Sequence, residues 1–355
     1  MRVITLCVSA LQVLLLSQAA PVTLPNTLLP DGYPNPSPAQ LKAIEQQALG
    51  TLSNRTLPAT LHNQESLNNF RIINFNEYFE AVFFAQFLHN VTNNVTGFEV
   101  PHTIDRDILI AELSAAQAQE ELHTINAIHA LQHYGANPIQ PCKVYKFPVN
   151  NFQQGVLFAM TWTSLVMSTL QDIIQDFAEN GDAPFTATIA STLGQEGAQA
   201  GYYRLLLGRT PNSLPFLTRS IRSFAFSILN QFIDFSTCPN VNEITIPLFK
   251  HITVLDTPGP VDNPAIRFAV NTADVVTGKT YYVVYINQQN LPVVVPAVHK
   301  SDQGGTTVFT GAWPYTEHLM NGLTITIISD NAGPYADAQA AADEAIFAPG
   351  LIIVN

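Results

Sequence analysis

The apolar residues of this chain change their spacing near residue 238. From Ser66 to about Phe235 they recur at helical intervals; after Cys238 they alternate along short runs rich in Val, Ile, Thr, Tyr and Phe. A period near 3.6 builds a helix with one buried face, and a period of two builds a half-buried strand. One segment cannot serve both patterns, so the chain reads as α+β, with helices first and an antiparallel sheet after them. The expected organisation is a leader over residues 20–61, a helical domain over 62–237 and a sheet domain over 238–355.

Five helical stretches are expected, over residues 66–89, 105–134, 152–180, 184–207 and 214–235. Ser66 and Asp105 read as N-caps, Gly135, Gly181 and Gly208 as stops, and Pro184 suits a first turn. The first four are long and antiparallel neighbours, so they are expected to form a four-helix bundle. The leader, rich in Pro, Asn and Thr, reads as an extended or wrapping arm with a short helix near 42–49. In the last third, strands are expected at 244–255, 265–270, 280–286, 293–299, 306–310, 323–329 and 351–354, separated by turns such as Asn321-Gly322. Seven such strands predict an antiparallel β-sandwich, with an alanine-rich helix over 336–345 on its edge.

The first 19 residues have the form of a cleavable signal peptide: Arg2, then an apolar stretch from Val3 to Leu16, then small residues ending at Ala19. The stretch is too short to cross a bilayer and is followed at once by prolines. Export puts the two cysteines outside that peptide, Cys142 and Cys238, in an oxidising compartment, where one disulfide is expected. Sequons at Asn54, Asn90 and Asn94 agree with a secreted protein of the cell surface or wall. A net charge of −12 with only 15 Lys and Arg excludes nucleic acid and anionic membrane as expected partners.

Acidic residues inside apolar helices are the candidates for chemistry. The first helix carries Glu77 and Glu80 at i, i+3; the second carries Glu120-Glu-Leu-His123; the third carries Gln171-Asp172; the fourth carries Glu196 and Gln199 at the same i, i+3 spacing. A two-metal carboxylate centre in a helix bundle takes one Glu from each of two helices and an E-x-x-H from each of the others. Three of those features together, the stretch around Glu77, the E-x-x-H at Glu120 and the segment from Gln195 to Gly208, resemble the ferritin-like domain of secreted fungal proteins of the late sexual development and stress-response type. That domain is similar to one in plant desiccation-related proteins. The resemblance covers about residues 60–235 and implies metal ligation by Glu77, Glu120, His123 and Glu196, with iron or manganese as the ion.

The chain departs from that pattern where Gln171 stands in place of a glutamate, Gln199 in place of a histidine and Phe84 in place of a tyrosine. An amide brings neither the charge of a carboxylate nor the basicity of an imidazole. The expectation is therefore a degenerate centre holding no cofactor, in a secreted structural or stress- and development-associated protein without catalysis. Glu80 and Asp172 would add ligands only if they face inward. The alternatives are a metal-dependent oxidoreductase or metal-binding protein using the four ligands, and a module for cell-wall glycan or self-association. Trp313, Tyr315, Tyr281 and Tyr282 would carry the glycan reading, although alternation assigns them to the core.

Overall fold

A computed structural model describes residues 22–23, 29–212 and 214–355 of the chain, and the expected signal peptide at 1–19 lies outside the described residues. Its contacts divide it into two compact units. The helical unit comprises Ala19–Pro211 and Ser220–Leu248; the sheet unit comprises Asn212–Arg219 and Phe249–Asn355. The chain thus gives a short segment to the sheet unit, returns to the helices, and then enters the sheet for good. Among the described residues no helix is long and apolar enough to cross a membrane.

The helices are α1 (Pro38–Gln47), α2 (Ser66–Thr92), α3 (Arg106–His133), α4 (Phe152–Glu179), α5 (Thr186–Leu206) and α6 (Arg222–Phe232). α2 packs along α3 and α4 along α5, and α4 also touches α2. Side-chain oxygens of Asp105 and Asn151 cap α3 and α4 by accepting from backbone N–H groups of the first turn. Ser66 is not the expected cap. It is the first residue of α2, and its hydroxyl donates instead to Asp182 at 2.6 Å.

α2 is buried on nearly every side, from Leu67 and Phe70 through Phe75, Phe79 and Phe83 to Phe87. A helix buried in this way lies at the centre of its domain, and here it takes Asn74, Asn76, Glu77 and Glu80 inside with it. Phe79 lies 4.2 Å from Trp162 and 5.0 Å from Phe147 between ring centroids, within an aromatic core that reaches Phe158 and Phe232.

The leader behaves as a wrapping arm. Ser37 and Gln40 form a reciprocal capping box at the start of α1, which packs on α3. Tyr33 OH donates to Thr124 at 2.8 Å, Gln47 Nε2 to the Ser114 carbonyl at 2.9 Å, and Tyr134 OH to the Pro58 carbonyl at 2.9 Å. His133 Nε2 also contacts the Pro58 carbonyl at 2.9 Å.

The fifth helical stretch is shorter than expected. Only Arg222–Phe232 is helical. Pro215 lacks a backbone donor, and Asn212–Arg219 belongs to the sheet unit, where Thr218 Oγ1 donates to the Leu323 carbonyl at 2.5 Å and accepts from Gln288 N at 2.8 Å. The expected strand at 244–255 shrinks to β3 (Ile252–Val254). Residues 238–248 stay with the helices, through Asn68–Thr245 and Asn240–Pro138 hydrogen bonds. A two-stranded ribbon, β1 (Val22–Thr23) against β2 (Val144–Tyr145), completes the helical unit.

The sheet unit adds β4 (Asn263–Asn271), β5 (Tyr281–Asn287), β6 (Val293–Gln303), β7 (Thr306–Trp313), α7 (Tyr315–His318), β8 (Gly322–Ser329), α8 (Ala338–Asp343) and β9 (Ala345–Val354). Two separate sheets were expected. Instead there is one antiparallel ladder in the order β3-β4-β7-β6-β5-β8-β9. β6 makes the corner: Val293–Ala297 pair with β5, Val298–Gln303 pair with β7, and the register shifts at His299/Ser301. A strand that changes partners at a bulge turns a sheet over on itself. β3 then lies against β9, where Ala348 N donates to the Lys250 carbonyl at 2.9 Å, so the sheet is nearly closed. Trp313 and Tyr281 fill its core, while Tyr282 and Tyr315 are half-buried.

Cys142 and Cys238 stand in disulfide-bonding position with Cα atoms 4.1 Å apart. The loop they close has a sequence separation of 96, for which chain entropy gives about 4–5 kcal/mol. Peptide mapping under non-reducing conditions should recover a Cys142–Cys238 linked pair. The Cys142→Ala/Cys238→Ala double variant should lose about 2–5 kcal/mol of stability. Two alkylatable thiols in the native protein would contradict this.

Candidate metal centre

Burial of α2 carries Glu77 and Glu80 into the interior, each about 1 % exposed. α3 brings Glu120 and His123 to the same place and α5 brings Glu196. One ligand atom from each of Glu77, Glu120, His123 and Glu196 lies within 4.8 Å of all the others. His123 Nδ1 is the hub: it lies 2.8 Å from Glu120 Oε2, 3.4 Å from Glu77 Oε2 and 3.9 Å from Glu196 Oε1. An imidazole Nδ1 carries one hydrogen at most, and Glu120 is the nearest acceptor. Glu77 Oε2 is left without that hydrogen, and Glu80 Oε1 and both oxygens of Glu196 also have no hydrogen-bond partner among the described residues.

Unpartnered buried oxygens are costly as anions. Burial first, and Glu120 in addition, pushes Glu77 up to about 7, against the pull of His123 downwards. Burial, with Glu77 and Glu120, holds Glu80 well above the usual carboxylate range. Burial, then Glu120, Glu80 and Glu77, does the same to Glu196. Burial opposes a charge on His123, but Glu120 and Glu77 outweigh it and hold the imidazole well above its ordinary value. Two like charges 4 Å apart repel by about 4 kcal/mol at an effective dielectric of 20. The group cannot carry all its charge without a cation.

Of the further candidates, Glu80 does face inward, and the charges of Glu77 and Glu120 act on it. Asp172 does not serve the centre; it accepts from Arg222 N at 3.0 Å and Nε at 3.3 Å, and Arg222 also reaches Asp176 at 2.6 Å. Gln171 donates to the Met167 carbonyl of its own helix at 3.3 Å. α4 instead presents an apolar wall, where Leu165, Val166, Thr169 and Leu170 line a cavity of about 20 Å³ beside Glu77. Gln199 is inside the centre, its Nε2 donating to Glu120 Oε1 at 2.7 Å.

Several contributors escape sequence reasoning. Asn76 Nδ2 donates to Glu80 Oε2 at 2.5 Å, and Gln119 Oε1 accepts from Gln195 at 2.8 Å. Asn76 stands four residues before Glu80 and Gln195 four before Gln199, the spacing of helix neighbours, which is the one signal the sequence offers. The sequons lie apart from the centre: Asn54 and Asn94 are exposed, and Asn90 is half-buried in the last turn of α2. No protein-family model matches this chain, and no curated protein matches it either.

The raised Glu77 gives a pH signature in the protein kept free of metal by chelator. A carboxyl raised on folding adds stability while protonated, and that stability is lost as pH climbs from the unfolded value through the folded one. Here the window runs from 4.5 to about 7. The raised His123 is lost in the same direction, from 6.5 upward. Thermal melts in chelator should therefore fall across this window, and Glu77→Gln should flatten the slope. A wild-type melting temperature that rises with pH between 5 and 7 would contradict the reading.

Proposed function

We propose that the helical unit is a ferritin-like four-helix bundle, α2 to α5, in a secreted protein that holds one divalent cation, iron or manganese, at Glu77, Glu120, His123 and Glu196. One observation carries the reading: Glu196 is fully buried, both its carboxylate oxygens lack a hydrogen-bond donor, Oε1 lies 3.9 Å from His123 Nδ1, and Glu120, Glu80 and Glu77 all act on it. A cation supplies what those oxygens lack. Mixed carboxylate and imidazole donors suit iron and manganese. The resemblance of the Glu77, Glu120 and Glu196 stretches to secreted fungal ferritin-like domains supports the same class, as does the absence of any thiol from the ligand set.

When bound, the ion would supply Lewis-acid or one-electron chemistry. The chain's own residues would do the positioning. The i, i+3 spacing on α3 holds Glu120 and His123 side by side, Gln199 orients Glu120 through Oε1, and α4 lines a small cavity beside Glu77. A structural, stress-associated role fits such a closed centre without requiring turnover. The glycan-binding alternative loses two of its four aromatics, because Trp313 and Tyr281 are buried.

A second reading, the metal-free one, has its own support in the raised Glu77, Glu80 and Glu196: the carboxyls would share protons and form a neutral polar core. The two differ in the sign of one substitution. With a cation, Glu196→Gln removes ligand charge and lowers stability; without one, it relieves repulsion. Elemental analysis of protein never exposed to chelator should give about one iron or manganese per chain. Chelator should lower the wild-type melting temperature, and Glu196→Gln should be less stable and insensitive to chelator. A chelator-insensitive wild type with an equally or more stable Glu196→Gln would establish the metal-free core instead.

A further inference from the structure

The orientation of the Gln199 amide is fixed from two directions. On one side Tyr203 OH donates to Gln199 Oε1 at 3.3 Å. On the other, Gln119 Nε2 donates to the Ala48 carbonyl of the arm at 3.2 Å, which turns Gln119 Oε1 towards α5. That oxygen accepts from Gln195 Nε2 at 2.8 Å and from Gln199 Nε2 at 3.2 Å. Gln199 must therefore present its NH2 to the centre, where it donates to Glu120 Oε1 at 2.7 Å. Glu120 Oε2 lies on the other side, 2.8 Å from His123 Nδ1, and with an ion bound both atoms would turn to it in place of the hydrogen between them.

A carboxylate joins two cations by giving one oxygen to each. On the Oε1 side of Glu120 a second ion would meet the Gln199 N–H, which turns positive partial charge towards it and offers no ligand. Glu80 is restricted in the same way, because Asn76 Nδ2 holds Glu80 Oε2. An amide N–H is a donor and brings no negative charge, so both amides set a donor where a second ion would need a ligand. Ligand atoms of Glu77, Glu120, His123 and Glu196 converge on a single place, and the unpartnered oxygens of Glu77 and Glu196 belong to it.

Resting on the metal-binding reading above, we infer that Gln199 limits the centre to one divalent cation per chain. Its side-chain N–H occupies the Glu120 oxygen that would bridge to a second ion. Gln199 is a positioning residue: it acts on the metal through Glu120.

The test uses the full chain and Mn²⁺ alone as probe, read by equilibrium dialysis with elemental analysis and by electron paramagnetic resonance. Wild type should bind one Mn²⁺ with the six-line spectrum of an isolated ion. Gln199→Glu exchanges donor for ligand and should bind two, with the spectrum broadened by a close, coupled pair. Gln199→Met keeps the volume, removes the donor and adds no charge; it should take a second Mn²⁺ only at higher concentration. A loss of packing alone would not create a coupled pair. Wild type binding two ions, or both variants staying at one, overturns this inference and leaves the metal-binding reading standing. Wild type binding none overturns both.

Discussion

Burial of α2 on nearly all sides is the constraint from which the rest of the helical unit follows. From Ser66 to Phe84 every residue of α2 but Arg71 is buried, so any acid in that stretch is taken out of water. Glu77 and Glu80 are such acids. Their charge must be met locally, and α3 and α5 supply the groups around them: Glu120 and His123 from one, Glu196 and Gln199 from the other. Instead of relieving the charge, Glu120 and Glu196 increase it. A single imidazole cannot balance four buried carboxyl groups, and pairing by hydrogen bonds leaves four oxygens over. A cation or shared protons must close the account, and the buried, donorless Glu196 favours the cation.

The remaining structure holds this costly centre in place. Phe79 and Trp162 pack α2 against α4, Asp182 ties the end of the arm to the start of α2, and Arg222 draws α4 to Asn69 of α2 through Asp172 and Asp176. The arm reaches the centre indirectly, since Ala48 fixes Gln119 and Gln119 fixes the two glutamines of α5. Local order in the arm is thereby linked to the orientation of a group touching Glu120. Well-packed support of this kind is what lets strained electrostatics persist in a folded chain.

Much of this is legible in the sequence because local chemistry and global fold agree. Asp105 and Asn151 cap helices whose ends are set by their own side chains, and the shift to alternation locates the sheet. Where local pattern misleads, a tertiary cause can be named. Residues 214–219 look helical, but Pro215 and Thr218 commit that segment to the sheet unit. Ser66 looks like a cap, but Asp182 takes its hydroxyl. At the centre, spacing marks Glu77, Glu80, Glu120, His123 and Glu196 as candidates, and the resemblance singles out Glu77, Glu120, His123 and Glu196. The inward turn of Glu80 is not legible, because a helix buried on nearly every side has no unique buried face to read. The amides of Asn76, Gln119 and Gln195 are also hidden, since a glutamine that orients a neighbour has the same letter as one on the surface.

The central claim is that a cation, and not a shared proton, satisfies Glu196. Diffraction from crystals grown without chelator, with data collected on both sides of the iron and manganese absorption edges, addresses it directly. The account predicts one anomalous peak per chain, within bonding distance of Glu77, Glu120, His123 and Glu196. No peak, with a Glu196 oxygen instead drawn to hydrogen-bonding distance of Glu77 or Glu80, would contradict it.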